Sequence, residues 1–298
     1  MTVVNRKIVP FLWFDKVSDE AVNHYLSAFP SSSLRRATTL PETPSGVVEI
    51  FAVDLLDSEF NLMSAGPEFK FTPAISFLVA CSSAAEVDTI WQQLVPGGSV
   101  LMELGSYPFS ERFGWLQDKF GVSWQIMFTG QQPIPQRMIP FLMFTGAQCG
   151  RAEEAIQFYT SIFPNSGVED IQRYQKGEEP DQPGSVKYSE FKLYGQSFAA
   201  MDSAYDHGFT FNEAISFVVN CETQEEIDYY WEKLSADPEA EMCGWLKDRF
   251  GVSWQIVPTI MYEMQQTKDA DRLARVTEAF LQMKKFDIAA LQRVYEGG

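Results

Sequence analysis

The sequence predicts an α+β protein assembled from four βαβββ units in two tandem copies. Three observations carry this. Short, alternating apolar runs rich in Val and Phe are interrupted by segments whose apolar residues fall three and four apart, the period of an amphipathic helix. The 298 residues are about twice the commonest domain size, which points to two domains rather than one. The chain also repeats itself at an offset near 130. Lys7–Phe14 (KIVPFLWF) returns as Arg137–Phe144 (RMIPFLMF), Tyr25–Pro30 (YLSAFP) as Tyr159–Pro164 (YTSIFP), and Ala74–Cys81 (AISFLVAC) as Ala214–Cys221 (AISFVVNC). Phe113–Ile126 and Cys243–Ile256 differ at only three of 14 positions: Phe113/Cys243, Gln117/Lys247 and Lys119/Arg249.

Each element has a local reason. Ile8–Phe14 is a short apolar and aromatic run ending at Asp15, hence a buried strand. Ser18-Asp-Glu opens a helix whose Val22, Tyr25, Leu26 and Phe29 form one stripe, repeated by Ile156, Tyr159 and Phe163. Strands follow near Leu34–Leu40, Val47–Leu55 and Phe60–Ser64. A second unit starts at Ile75. Ser83-x-x-Glu86 then reads as a capping box for a helix with Val87, Ile90, Trp91 and Leu94 on one face, and Thr223-x-x-Glu226 is its twin. Strands near Val100–Leu104, Gly114–Gln117 and Val122–Phe128 close the unit. The second copy loses about ten residues between Leu234 and Gly244, so one strand is expected to be trimmed there. The join, Thr129–Gln136, reads as a short stiff linker with two prolines. Asp269–Lys285 and Asp287–Tyr295 read as two further helices. The expected domains are residues 1–130 and 137–260, with a helical tail, 261–298, packed on the second.

Composition limits the partners. Lys plus Arg is 23 against 40 Asp plus Glu, a net charge of -17, which repels phosphate backbones and anionic lipid. Nucleic acid and membrane are therefore not expected partners. No apolar run reaches the roughly 20 residues of a bilayer crossing, and Met1–Pro10 lacks the apolar core of a signal peptide. The expected location is the cytoplasm. Cys81, Cys149, Cys221 and Cys243 show no C-x-x-C spacing and read as reduced thiols.

The paired units, the Tyr…Phe-Pro helix motif and the Asp-x-Phe-Gly-x-x-Trp-x-Ile final strand together resemble the vicinal oxygen chelate (glyoxalase/bleomycin resistance/dioxygenase) superfamily. The likeness is to its PhnB-like branch, which is labelled 3-demethylubiquinone-9 3-methyltransferase. Pro10–Asp15, Gly66–Phe77, Gly114–Ile126 and Met283–Leu291 carry it. The resemblance implies tandem vicinal-oxygen-chelate modules, each of paired βαβββ units forming a cupped mixed sheet with helices on its outer face. It also implies single-copy relatives that pair as homodimers, so this chain resembles a dimer fused into one polypeptide, with further homodimerisation possible in principle.

Enzymes of that superfamily hold a divalent metal by His, Glu or Gln on several strands. The corresponding positions here fall near Val9 and Ile139, near Leu62 or Met63 and Ala200 or Met201, and at Ala74 and Ala214. The last falls at Gln125 and Gln255. Only the glutamines offer a donor, so neither metal nor cofactor is expected. Of the two histidines, His24 reads as a solvated helix residue and His207, in the polar loop Asp202–Gly208, as a weak metal candidate. No x-x-G-x-G loop of the kind that binds S-adenosylmethionine follows a first strand. Cys81 and Cys221 sit at strand ends and read as buried thiols rather than nucleophiles.

With Gln125 facing the cup, strand alternation places Ser123 on the same side, and Ser253 beside Gln255. Phe11, Trp13 and Met63 in the first copy, and Phe141, Met143 and Asp202 in the second, complete the candidate cleft. Such a cleft suits a small apolar or aromatic molecule. The expected function is metal-free binding of a small molecule; the alternative is an enzyme of the superfamily acting on an oxygen-rich small molecule.

Overall fold

The computed structural model describes residues 6–16, 18–130 and 134–297. The central residues of the linker therefore lie outside the described part. The first unit is β1 (Ile8–Phe14), α1 (Ser18–Ala28), β2 (Ser33–Thr43), β3 (Gly46–Leu55) and β4 (Ser58–Ser64). The second is β5 (Ile75–Cys81), α2 (Ala84–Leu94), β6 (Ser99–Tyr107), β7 (Ser110–Gln117) and β8 (Ser123–Phe128). The second copy repeats this with β9 (Met138–Phe144), α3 (Ala152–Ile162), β10 (Gly167–Arg173), β11 (Val186–Leu193) and β12 (Gln196–Asp202). It ends with β13 (Ile215–Cys221), α4 (Gln224–Leu234), β14 (Trp245–Lys247) and β15 (Ser253–Pro258). The counterpart of β6 is the trimmed strand; only a bridge between Met242 and Trp245 remains. The tail holds α5 (Ile260–Gln265), which the sequence reading did not anticipate, then α6 (Ala270–Leu281) and α7 (Ile288–Glu296). Asp269 and Asp287 accept from the backbone N–H of Arg272 and Ala290 and so cap α6 and α7.

The strands form two mixed sheets, and the pairing of units differs from the within-copy pairing expected. The first sheet runs β14-β15-β13-β1-β4-β3-β2 and the second β10-β11-β12-β9-β5-β8-β7-β6. Each sheet therefore joins the opening unit of one copy to the closing unit of the other. The seams are antiparallel, β1 on β13 (Phe11 opposite Ser216) and β5 on β9 (Ser76 opposite Phe141). Ion pairs repeat across them: Lys7 meets Glu226 at 2.7 Å, and Arg137 meets Glu86. The tail follows the same composite construction. It touches both copies: Cys243 and Gly244 donate backbone N–H to Met283 and Lys284, while α6 lies along β2 of the first copy. Gly244, at φ +85, is a tight point, since a Cβ there would stand 2.4 Å from the Phe286 ring.

Helices α1–α4 pack on the outer faces, where the aromatic stripes meet. Trp124 lies against Tyr25, Phe29 and Phe77, and Trp254 against Tyr159, Phe163 and Phe217, all with ring centroids 5.1–5.6 Å apart. Each such buried aromatic contributes about 1.5–3 kcal/mol. Beneath them the Asp-x-Phe-Gly turns are fixed by one buried carboxylate each. Asp118 accepts from Tyr25 Oη (2.7 Å), Trp124 Nε1 (2.8 Å) and the N–H groups of Phe120 and Val122. Asp248 repeats the set with Tyr159, Trp254, Phe250 and Val252. Gly121 and Gly251, at φ +93 and +88, let the chain close around them.

A candidate binding cup in each sheet

Register defines what shares the inner face of each sheet, because residues paired across strands point to the same side. In the first sheet one row reads Ser253, Ser216, Phe11, Asn61, Ala52 and Arg36. A second row joins Trp245, Gln255, Val218 and Val9, and a third Trp13, Met63, Ile50 and Thr38. Phe11, Trp13, Met63, Ser253 and Gln255 thus share one cup, although the sequence reading divided them between copies. Gln255 donates from Nε2 to Ser216 Oγ at 3.0 Å, and Trp245 packs edge-on against Phe11 and Trp13. Helices α5 and α6 and the Phe286 turn lie over this cup, leaving a cavity of about 120 Å3.

The second sheet repeats the frame with other residues. Its rows are Ser123, Ser76, Phe141, Ala199, Glu190 and Asp170; then Trp115, Gln125, Leu78 and Ile139; beyond these Met143 pairs with Met201, and Tyr188 with Gln172. Ser123, Gln125, Phe141 and Met143 are brought together here. Gln125 donates to Ser76 Oγ at 2.9 Å and Trp115 Nε1 to Ser123 Oγ at 2.7 Å. Tyr188, whose ring lies 6.0 Å from Phe141, donates its hydroxyl to Glu190 at 2.6 Å. Trp115, Met127, Tyr188 and Met201 remain half-exposed. No tail can follow β8, because the chain passes from it directly into the second copy.

Asp202 does not join either cup. It is paired with Phe144 on the helix side of the sheet and is buried, and its carboxylate accepts from the N–H groups of Gly150, Ala152 and Val186. That arrangement ties the start of α3 to β11; Asp202 follows the cup-facing Met201 and so points to the opposite side of the strand. His207 contacts Ser203 Oγ at 2.8 Å and stacks on Phe209, on the wall of a broad groove of about 910 Å3 formed by loops. Burial pushes the Cys81 and Cys221 thiols up to about 12, so both are inert at neutral pH.

His24 also departs from the expectation of a solvated side chain. Its ring lies edge-on to Phe120 at 5.7 Å, its Nε2 is buried, and that nitrogen has no hydrogen-bond partner among the described residues. Burial pushes its pKa down, against the opposing pull of Asp118. The unfolded chain therefore binds the proton more readily, so stability present above about 6.5, the ordinary histidine value, is lost as pH falls below it toward the lowered folded value. The second copy has Phe158 here, in the same geometry against Phe250 (5.7 Å). His24→Phe is expected to stabilise the protein by about 1 kcal/mol at pH 7 by removing the unpaired nitrogen. It should also shrink the fall in Tm between pH 7 and 5.5; an unchanged pH profile would place the titration elsewhere.

The donor chemistry of the cups does not suit a divalent metal. The positions implied by the resemblance hold Val9, Met63, Ala214 and Gln255 in the first sheet and Ile139, Met201, Ala74 and Gln125 in the second. These supply one amide and one thioether per cup, too few donors to hold an ion that takes His, Glu or Gln from several strands. Each glutamine spends its Nε2–H on a serine, which leaves a single amide oxygen per cup as a strong donor. Among the described residues no three His, Cys, Asp or Glu side chains converge as a metal cluster.

The sequence reading missed Arg36, Thr38, Asn61, Trp115 and Tyr188 as cup residues. A signal existed in the repeat: Asn61 and Ala199, Thr38 and Gln172, and Arg36 and Asp170 occupy equivalent positions of the two copies, and divergence there marks where the copies differ in task.

Comparison with known proteins agrees with the duplication. The family described as 3-demethylubiquinone-9 3-methyltransferase matches residues 6–127 and again 136–257. A putative 3-demethylubiquinone-9 3-methyltransferase, PhnB protein, from Bacillus cereus is 38% identical, over 41% of this chain and 99% of its own length, with a TM-score of 0.39. Protein PA1353 from Pseudomonas aeruginosa is 26% identical, over 42% of this chain and 99% of its own, with a TM-score of 0.37. Glyoxalase I from Zea mays spans 87% of this chain and 94% of its own length at 13% identity and a TM-score of 0.55, a likeness of fold. A search of the curated proteins gives no match. No helix among the described residues is long and apolar enough to cross a membrane. With one family match on each copy, the chain belongs to the family described as 3-demethylubiquinone-9 3-methyltransferase, which it carries twice in tandem.

Proposed function

We propose that the chain is a metal-free small-molecule binding protein and that the cup of the second sheet takes an apolar or aromatic molecule. One observation supports this most directly: Trp115, Met127, Tyr188 and Met201 stay half-exposed on the inner face around a buried Gln125. Half-exposed aromatics and thioethers gathered on one sheet face gain by being covered, and one amide can orient what covers them. Glu190 and Asp170 on the far wall favour a neutral or cationic ligand over an anionic one.

N-phenyl-1-naphthylamine, a neutral aromatic fluorophore, is expected to bind with a micromolar Kd, and anionic anilinonaphthalene sulfonate at least tenfold more weakly. Trp115→Ala or Phe141→Ala should weaken the neutral probe about tenfold, some 1.4 kcal/mol. Equal binding to both variants and the parent would sink this assignment. Near-stoichiometric divalent metal in elemental analysis of tag-free protein would overturn the metal-free part.

A further inference from the structure

The pocket under the tail differs from the second cup in charge and in hydrogen bonding. Thr38 and Asn61 both line it, at 7% and 3% exposure, and Thr38 Oγ1 and Asn61 Oδ1 are buried without a hydrogen-bond partner among the described residues. Leaving such atoms unpaired costs about 1–3 kcal/mol each, so folded proteins rarely keep them without a bound partner. The second sheet forms with Ala199 at the position equivalent to Asn61. Arg36 lines the same pocket, half-buried, with its guanidinium 4.3 Å over the Tyr262 ring. Its neighbour Arg35 neutralises Asp54 and Glu59, at 2.7 and 2.8 Å. No carboxylate of the described residues lies within 4.0 Å of Arg36, although acids outnumber bases 40 to 23. The remaining wall is apolar, with Phe11, Leu40, Met63 and Phe280.

We propose that this pocket binds a short-chain monocarboxylate, its head on Arg36, Thr38 and Asn61 and its alkyl end against the apolar wall. The guanidinium supplies the charge and a planar donor pair, Thr38 supplies a hydroxyl donor, and the Asn61 amide, turned either way about its last bond, supplies N–H. The cavity of about 120 Å3 limits the ligand. At about 30 Å3 per water it holds roughly four waters, or a molecule of six or seven non-hydrogen atoms such as butyrate. The site is separate from the open cup, so Trp115→Ala leaves it intact.

The test is thermal unfolding and saturation-transfer NMR of the full chain with butyrate, with butyramide as the uncharged isostere and sodium chloride at matched ionic strength. Butyrate is expected to raise Tm logarithmically with its concentration, by about 3 °C at twenty times its Kd, because it binds only the folded state. Butyramide should bind at least tenfold more weakly. Arg36→Gln should abolish the shift. Asn61→Ala, which copies the second sheet and preserves the fold, should weaken butyrate about fivefold, and Thr38→Val should act likewise. A shift no larger than that of chloride, meaning the pocket holds only water, overturns the proposal. So does equal binding of butyramide, or butyrate protection that survives in Arg36→Gln.

Discussion

Asp248→Ala is expected to destabilise the protein by about 4 kcal/mol, which lowers Tm by roughly 8–15 °C for a chain of this size. The substitution removes one acceptor but strands four donors: Tyr159 Oη, Trp254 Nε1 and the N–H groups of Phe250 and Val252. The two side-chain donors belong to fully buried rings and have no route to water. Asp248→Asn should fall between parent and Ala, since its amide keeps one oxygen and turns an N–H toward a donor. Asp118→Ala should cost a similar amount, because Tyr25, Trp124, Phe120 and Val122 repeat the arrangement. Urea unfolding followed by tryptophan fluorescence measures this directly. A loss below about 1 kcal/mol would mean that water replaces the carboxylate in these turns.

The second large effect concerns the composite sheets. If the chain is divided in the linker, residues 1–130 hold β1–β4 of one sheet and β5–β8 of the other, and residues 131–298 hold the complements. Neither half can complete a sheet alone without exposing the seam strands β1 and β5, or β9 and β13. Those strands carry buried Val9, Phe77, Leu142 and Val219. Each half alone is therefore expected to self-associate or aggregate, since unpaired strands offer templates for pairing. Co-expressed halves should purify as a 1:1 complex with the secondary structure of the whole. Sedimentation and circular dichroism decide the matter. Two monomeric halves, each melting near the parent Tm, would contradict the shared sheets.

Much of this architecture was legible because alternation and helical periodicity are local properties. Ser83 and Thr223 cap their helices as their spacing requires, accepting from Glu86 and Glu226 N–H. One detail of the expected box shifted: the Glu86 carboxylate takes its backbone N–H from Ser82, one residue earlier, and also reaches Arg137. Which units share a sheet could not be read. β5 and β13 present nearly the same residues to β1, Ile-Ser-Phe-Leu-Val against Ile-Ser-Phe-Val-Val, so the choice between them rests on chain connection and on distant pairs such as Lys7 with Glu226. For the cups, Gln125 and Gln255 were found by motif. Asn61 and Thr38 were not, because a polar residue in an alternating strand looks like a solvent-facing one until the tail is seen to cover it. Asp202 shows the converse error, a polar residue beside candidate positions but on the opposite face.

The composite sheets also change how sequence variation can act. In a symmetric pair of identical chains, every substitution appears in both cups at once, and a change that suits one must be tolerated by the other. Here the two halves of each cup are encoded by separate stretches of one chain. Arg36 in one wall and Asp170 at the matching place in the other can coexist, and a helical cover can close one cup without blocking its twin. Fusion thus releases two copies of one scaffold from having to share a ligand, while the seams hold them in fixed one-to-one proportion.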